Sequence, residues 1–489
     1  FSSYRTKEFP VSTENKVFDA GPDEKSEEGQ ELQRGLSNRH LQLIALGGAI
    51  GTGMFMGSSN TIHEAGPSSM LVYAVIGFFL YFMMRAMGEM LLSNLKYRSF
   101  RDIAEDLLGP AGGFIAGWTY WFAWVVAAMG DLAAITGYAQ FWWPEVPKWL
   151  PAAVLAGTLL VLNLLAVKYF GEAEFWFALI KLVAVGALVV VAACLLFSGF
   201  VSPDGQPATV ENLWNDGGFF PKGFGGFLRG FQIAFFAFVG LEIVGTAAAE
   251  TKDPERNLPK AINAIPVRLA LFYVLALAAI TIVIPWREVV PGVSPFVSMF
   301  SLAGFGAAAH VMNFVLLTAA ASSDNSGLYS TSRMAYGLAL DGQAPQAFKK
   351  LSKRKVPRNA LICSCALLMT GVVFQYTSED IVQAFELVTT ITAVLFLFIW
   401  AFIVVCYLVY RKKNPELHEK SVYKMPGGRV MCWVVLVFFA ISLVILYFDE
   451  DKRAAVLWTP VWFLIIIPCY FINKKARGGK SASAQDVAQ

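Results

Sequence analysis

The chain has 489 residues, of which 56% are apolar and only 15% are charged, and it contains 40 phenylalanines. Soluble domains average about 45–50% apolar and about 25% charged residues, so this composition excludes an ordinary soluble enzyme and indicates chain buried in lipid. The net charge of +3 is too balanced to indicate a nucleic-acid partner.

A polar segment of mixed charge precedes the first apolar run. It has no apolar core, so we expect no cleavable signal peptide. A transmembrane helix needs roughly 20 mostly apolar residues to cross a hydrocarbon core of about 30 Å. Twelve segments meet that need, and all should be helical because lipid offers the backbone no hydrogen bonds. The predicted spans are 42–63, 69–92, 113–140, 149–167, 173–199, 227–249, 262–284, 305–332, 360–376, 383–410, 430–447 and 455–473.

Lysine and arginine predict the orientation of these spans, because they accumulate in cytoplasmic loops. If the N-terminus is cytoplasmic, the cytoplasmic segments carry 28 of these residues and the outer loops carry 5. We therefore expect both termini to be cytoplasmic. The expected tails are residues 1–36 and 476–489, on either side of a membrane domain at 37–475.

Glycines interrupt the first and sixth spans near their midpoints. The first interruption is at Gly51, Thr52 and Gly53, and Gly240 and Gly245 mark the second. Two interrupted spans in matching positions of a five-plus-five repeat indicate a binding site made of unwound main chain. Exposed N–H groups suit a carboxylate and exposed carbonyls suit an ammonium, so such a site fits a zwitterion. The same glycines are also typical of close helix packing.

Four of the charged residues inside or at the ends of predicted spans are candidate functional groups. Lys181 is roughly 14 Å into the fifth span, where a charge costs about 2.5–3.5 kcal/mol. It is either a proton-linked amine or is held by a carbonyl or carboxylate. Glu242 either binds a proton or orders the unwound part of the sixth span. Asp131 in the third span either gates or makes a structural hydrogen bond, and Glu250 either closes a cytoplasmic gate or faces water.

Two further polar pairs stand out. Arg85 and Glu89 are four residues apart near the inner end of the second span, so we expect them to pair along the helix as a gate or an anchor. Asp324 and Asn325 in the eighth span either line an inner pathway or belong to a helix interface.

Motifs of enzymes and cofactor proteins are missing from the loops. We find no nucleophile–base pair, Walker loop or dinucleotide fingerprint, and the six cysteines lack metal-ligand spacing. We therefore expect no enzyme activity, no catalytic residues, no cofactor and no metal. The expected partners are the lipid bilayer and a small molecule. The oligomeric state does not follow from these patterns.

Several motifs together resemble the bacterial amino acid transporter group of the amino acid–polyamine–organocation superfamily. They are "LSNRHLQLIALGGAIGTGMFMGS", "EFWFALIK", "FQIAFFAFVGLEIVGTAAAETKDPERNLPKAIN", "SSDNSGLYSTSRM" and "EKSVYKMP". The resemblance covers roughly residues 34–475. The segments "LWNDGGFFPKGFGGF" and "LVYRKKNPELHEKSVYKMP" are most similar to the D-serine/D-alanine/glycine permease branch.

This resemblance implies a LeuT-like inverted repeat of five plus five helices with two extra helices, in a bacterial cytoplasmic (inner) membrane. It also implies proton symport of small neutral amino acids, with the proton gradient as the energy source. Lys181 matches a family lysine that resembles a built-in replacement for a sodium ion, and Glu242 and Glu250 match two acidic positions. The substrate carboxylate is expected at the backbone of Gly51, Thr52 and Gly53, and the ammonium at the carbonyls of Phe236, Ala237 and Val239.

The resemblance leaves other functions open. Permeases for asparagine, aromatic amino acids or 4-aminobutyrate share most of these residues. A transporter-like amino acid sensor and an exchanger that needs a partner subunit are two further alternatives. The short tails argue against the sensor, and the lack of an evident unpaired outer cysteine argues against the exchanger.

Overall fold

A computed structural model describes residues 36–164, 167–203, 205–304, 306–377 and 381–486. The extended pairings in these ranges are two isolated bridges, Leu36 with Thr251 and Val201 with Pro207. The α-helices of the described residues are α1 Asn38–Ala49, α2 Thr52–Phe55, α3 Gly57–Ala65, α4 Ser69–Ser93, α5 Phe100–Leu108, α6 Pro110–Gln140, α7 Trp149–Asn163, α8 Val167–Phe197, α9 Gly223–Arg229, α10 Phe231–Phe236, α11 Ile243–Thr246, α12 Pro254–Val283, α13 Pro295–Leu302, α14 Gly306–Leu340, α15 Arg358–Thr377, α16 Ile381–Lys413, α17 Pro415–Lys420, α18 Gly428–Phe448 and α19 Glu450–Asp486.

Length and composition allow seven of the described helical segments to cross a membrane. Each of the twelve predicted spans contains helix, and shorter apolar helices cover Trp149–Asn163 and Arg358–Val373. The prediction of a helical, multi-pass membrane protein is therefore confirmed. The seven segments are Gly57–Ser93, Pro110–Gln140, Glu174–Phe197, Pro254–Val283, Gln383–Lys413, Gly428–Phe448 and Lys452–Lys475.

Burial separates central helices from peripheral ones. In the most apolar part of α6, 83% of residues are buried by the rest of the protein, against 28% for α18 and 17% for α19. Both peripheral helices carry large exposed apolar side chains such as Trp433, Trp458 and Leu464. Such a surface is suited to contact with lipid, because apolar side chains can be exposed to lipid tails without a cost in free energy. Helix α6 is the centre of the bundle and packs against α14 and α16.

The interruption predicted in the first span is present. Helix α1 ends at Ala49, Ile50 and Gly51 are not helical, and the chain resumes as α2 and α3. The sixth span is also divided, because α10 ends at Phe236 and α11 begins only at Ile243. Gly240 in that gap has φ +107°, a conformation that L side chains rarely adopt.

Contacts place both ends of the described chain at one end of the bundle. The Leu36 N–H donates to the Glu250 carbonyl at 3.0 Å, and the Glu250 side chain pairs with Arg333 near the end of α14. Just after α14, Asp341 lines a surface cavity of about 1000 Å³ together with Asn473 of α19. We call this the terminal end. The other end, here the opposite end, carries Glu64, Arg229, Glu386 and Lys452.

The predicted tails are only partly visible. Residues 1–35 of the N-terminal tail lie outside the described residues. At the C-terminus, α19 continues to Asp486, so the segment predicted as a tail from residue 476 is helical as far as it is described.

Candidate functional site

The two interrupted helices meet at their gaps. A Cβ added to Gly53 would lie 2.7 Å from the Ala237 nitrogen, and one added to Gly240 would lie 2.7 Å from the Gly48 carbonyl carbon. Both distances are too short for any side chain, so main chain packs directly on main chain here. Glycine at these positions therefore allows close packing of the helices, which was one interpretation of the pattern. The two unwound segments also come together, as a binding site made of unwound main chain requires.

Helices α6 and α14 hold the first gap. The buried Thr52 hydroxyl donates to Oδ1 of Asp131, which is itself buried on α6. A Cβ on Gly51 would lie 3.0 Å from the Ser323 hydroxyl of α14. Of the two roles considered for Asp131, the structural hydrogen bond is therefore present. It ties the third predicted span to the interruption of the first.

The second gap is held by Tyr273 of α12, which sequence reasoning missed. Its hydroxyl lies 2.6 Å from the Ala237 carbonyl oxygen and 3.0 Å from that of Ala49, so one side chain reaches both interrupted spans. The Phe236 carbonyl accepts the Val239 N–H at 3.2 Å. A carbonyl oxygen has two lone pairs, so these bonds leave acceptor capacity at the carbonyls expected to receive an ammonium. That expectation stays a prediction.

Glu242 is buried and is the last residue of this gap. Its Oε2 accepts the Gly240 N–H at 3.2 Å and the Trp400 indole N–H at 3.3 Å, whereas Oε1 has no hydrogen-bond partner among the described residues. The first bond orders the unwound segment, as one interpretation required. Burial of a carboxylate oxygen that accepts no hydrogen bond is also costly, and binding of a proton would neutralise its charge.

Lys181 of α8 is fully buried and reaches the end of α1. Its ammonium donates to the Gly47 carbonyl and, at 2.8 Å, to the Ser322 hydroxyl of α14. The amine is thus held by a carbonyl just before the first gap, and it points into the protein rather than into lipid. Ser322 also bonds Glu174, a buried acidic residue that sequence reasoning did not single out although it stands in the same apolar helix.

Glu250 does not face water, so that alternative is wrong. It is buried at the terminal end, where Oε1 pairs with the Arg333 guanidinium at 3.0 Å and Oε2 accepts the Tyr329 hydroxyl at 2.7 Å. These contacts join the end of the interrupted sixth span to α14. A charged pair in this position closes the packing between the two helices.

The expected pairing of Arg85 with Glu89 is also wrong. Glu89 is buried and accepts from the Tyr407 hydroxyl at 2.6 Å and the Met425 N–H at 2.8 Å, and it lies 2.5 Å from Nδ1 of His418. Arg85 instead bonds Asn263 at 2.8 Å and stacks on Tyr423. Four-residue spacing allows contact, but α4 is rotated so that the two side chains meet different neighbours.

Asp324 and Asn325 lie in the interior rather than at the terminal surface. Both are buried, and the Asn325 amide donates to Glu174 at 3.2 Å and accepts from Asn163 of α7 at 2.7 Å. Asn325 belongs to a polar helix interface between α7, α8 and α14, whereas neither carboxylate oxygen of Asp324 has a hydrogen-bond partner among the described residues. No described contact places them on an open pathway.

A cavity lies at the opposite end of the bundle. It has a volume of about 130 Å³ and is bordered by two ion pairs, Glu64 with Arg229 and Glu386 with Lys452. Gln232 and Ile233 of α10 also line it. A Cβ on Gly57 would touch Ile233, so the wall of the cavity is continuous with the interrupted first span.

Comparison with known proteins gives a consistent set of relatives. The family model for amino acid permeases matches residues 40–479. A D-serine/D-alanine/glycine transporter from Escherichia coli (strain K12) is 57% identical over 454 residues, which cover 93% of this chain and 97% of that protein. The amino-acid permease AapA of Bacillus subtilis (strain 168) is 49% identical over 92% of this chain and 97% of its own length. The aromatic amino acid transport protein AroP of E. coli (strain K12) is 40% identical over 92% of this chain and 98% of its own length.

Proposed function

The chain belongs to the amino acid permease family, and from that premise we propose that it is a proton-coupled symporter for small neutral amino acids, chiefly glycine, D-alanine and D-serine. The observation that carries the proposal is the meeting of two interrupted helices in the buried interior. Interrupted main chain supplies polar groups at a depth where lipid supplies none. The high identity to a transporter of these three substrates favours them over asparagine or aromatic amino acids.

The two gaps suit the two charges of the substrate. Thr52 and Gly53 begin a new helical segment directly after Gly51, where N–H groups lack intrahelical acceptors and suit a carboxylate. The Gly51 N–H itself donates to the Ala49 carbonyl at 3.0 Å. Phe236 ends the preceding helix of the sixth span and Ala237 and Val239 follow it in the gap, where carbonyls suit an ammonium. Because the gaps are in contact, one carbon atom that carries both charges can reach both sets of groups.

We place these gaps in a fold of twelve spans. The interrupted helices begin two groups of five, α1–α3 through α8 and α9–α11 through α16. The remaining helices, α18 and α19, are the peripheral ones. Rocking of one repeat against the other would expose the gaps to each side of the membrane in turn. The concentration of basic residues in the segments at the terminal end favours a cytoplasmic position for both termini, in a bacterial inner membrane.

Proton coupling would run through Lys181. Its ammonium is anchored at Gly47, three residues before the first gap, so a change in its charge acts directly on the helix that leads into this gap. Glu242, with one unpartnered oxygen at the second gap, is a second place for a proton.

Uptake by purified protein in lipid vesicles tests the function. We expect radiolabelled glycine to accumulate when the outside is acidic, and the accumulation to disappear with a protonophore. Unlabelled D-alanine and D-serine should compete, whereas L-asparagine, L-phenylalanine and 4-aminobutyrate should not. Exchange without net accumulation would contradict symport, and strong competition by L-phenylalanine would assign the chain to an aromatic substrate.

Substitution of the lysine tests the coupling. In Lys181→Ala, glycine binding should persist while accumulation driven by the acid gradient is lost, because the amine that links protonation to α1 is gone. Proton-driven accumulation at the wild-type level in this variant would refute the coupling role of Lys181.

A further inference from the structure

Glu174 is a fully buried carboxylate that the proposed mechanism does not yet use. It lies on α8, where the Ser322 hydroxyl donates to Oε1 and the Asn325 amide donates to Oε2 at 3.2 Å. A Cβ on Gly47 would lie 2.1 Å from Oε1, so the carboxyl packs directly on the backbone of α1. A carboxylate at such a place is costly unless it is paired or protonated.

Ser322 joins Glu174 to Lys181 with a defined direction. The Lys181 ammonium donates to the Ser322 oxygen at 2.8 Å, and the same hydroxyl donates its own hydrogen to Glu174. A hydroxyl can accept and donate at once. The three groups therefore form a continuous chain of two hydrogen bonds, from the ammonium through the hydroxyl to the carboxylate. Both bonds are donated in the direction of Glu174.

Glu174 is also the member of this chain of hydrogen bonds that lies nearer the terminal end. It precedes Lys181 by two helical turns, about 10 Å along α8. Glu172, two residues further, has 42% of its side chain exposed and pairs with Arg39 at 3.2 Å. Glu174 is thus positioned between a buried amine and the surface at which the chain ends are found.

Among the described residues, the groups that donate to the carboxyl are neutral. Helix α1 contributes the Gly47 backbone and α14 contributes Ser322 and Asn325. Lys181 is the charged group that acts on it, and Asp131 of α6, which bonds Thr52 at the first gap, also acts on Lys181. Two carboxyls therefore influence the amine, one that bonds Thr52 at the first gap and one that lies two turns earlier on α8.

We propose that Glu174 is the proton acceptor of Lys181, reached through Ser322, on the path from the substrate gap to the terminal end. In the transfer, an N–H bond of Lys181 breaks as its proton binds the Ser322 oxygen, and the original Ser322 proton moves to Oε1 of Glu174. An ammonium and a carboxylate become an amine and a carboxylic acid, so the net charge of the site does not change. This step rests on the proton coupling proposed above.

The test measures proton movement and substrate exchange separately in vesicles that contain a pH-sensitive dye. In Glu174→Gln, glycine-dependent proton entry should fall about 100-fold, the scale of losing a positioned proton-transfer group, while glycine counterflow falls far less. Ser322→Ala should also lose proton entry, and Ser322→Thr should restore it because the hydroxyl returns. Glu172→Gln is the matched control, an acidic residue on the same helix that is partly exposed, and should behave as the wild type.

The outcomes separate this inference from the proposed function. If the wild type shows no glycine-dependent proton entry, the symport proposal fails and the relay fails with it. If the wild type couples and Glu174→Gln or Ser322→Ala couples equally well, symport stands and the role of Glu174 is refuted. Should Glu174→Gln fail to fold, the contrast between Ser322→Ala and Ser322→Thr decides the question, since both keep the lysine and the carboxylate.

Discussion

Charged side chains are held in different ways at the two ends of the bundle. At the terminal end the pair Glu250–Arg333 has side chains only 1% and 5% exposed, and Arg101 is 1% exposed in its network. At the opposite end Arg229 and Glu64 are 44% and 33% exposed, and a cavity of about 130 Å³ separates the helices. Both ends have ion pairs, but the pair Glu250–Arg333 is the one removed from water, whereas Arg39 and Glu172 at the same end are 56% and 42% exposed.

This contrast shows which ion pairs are costly to break. Buried pairs depend on each partner, because a single charge left in the interior is strongly unfavourable. Exposed pairs contribute little, since water and salt replace the partner. The pair Glu250–Arg333 therefore closes the packing at the terminal end through a contact that is costly to break. The exposed pair Arg229–Glu64 at the opposite end contributes less, and each end carries a cavity.

The largest effect should come from breaking the pair Glu250–Arg333. Glu250→Gln leaves the Arg333 guanidinium buried without its carboxylate, and we expect a loss of about 3–5 kcal/mol in stability. Thermal unfolding of the detergent-purified protein measures it. The double variant Glu250→Gln with Arg333→Met should lose less than the two single variants together, because no uncompensated charge remains. Additive losses would argue that the pair does not close this end.

A smaller loss should follow from Arg101→Lys. The guanidinium of Arg101 contacts Asp341 and Glu105 and donates to Gln343 at 2.9 Å, a set of contacts that one ammonium cannot reproduce. We expect a loss of about 1.5–3 kcal/mol. Arg98→Lys is the matched control, because Arg98 shares Asp341 but is 32% exposed. An equal loss in both variants would contradict the importance of burial.

A loss of only about 0.5–1 kcal/mol is expected from Glu386→Gln at the opposite end. Glu386 lies 2.6 Å from Lys452 and accepts from the Asn60 amide at 2.6 Å, and its side chain is 27% exposed. A glutamine keeps the hydrogen bond and removes the ion pair. A loss as large as that of Glu250→Gln would remove the distinction between the two ends.

The smallest effect is expected from Arg229→Gln, about 0.3 kcal/mol. The more exposed pair of Arg229 and Glu64 should also be sensitive to salt, so the difference between variant and wild type should vanish near 1 M salt, where the screening length is about 3 Å. Unfolding at low and high salt checks this. A difference that persists at high salt would show that this pair is shielded from water.

Much of the fold could be predicted because it depends on local pattern. Apolar runs predicted the helical segments, and glycines predicted the gaps after Ala49 and Phe236, since both depend on neighbours along the chain. Gly245, which was expected to mark the second gap together with Gly240, lies within α11 instead. The depth of Lys181 in its helix predicted that its amine faces protein, and the structure shows it bonded to Gly47 and Ser322. The assignment of binding and coupling roles stays a prediction.

The candidate site was only partly predictable because its members come from distant parts of the chain. Thr52 and Asp131 are 79 residues apart, and Lys181 and Ser322 are 141 apart. Tyr273 stands in an apolar helix like any interior tyrosine, so no local signal indicated that it bonds both gaps.

By itself the sequence determined that the chain is a bundle of apolar helices with two of them interrupted, because hydropathy and glycine content act within one helix. Only the tertiary structure decided which polar groups meet. The failure of Arg85 to pair with Glu89, and the connection of Lys181 to Glu174 through Ser322, depend on how each helix is rotated about its axis. That rotation is set by the sum of many packing contacts, which no single segment encodes.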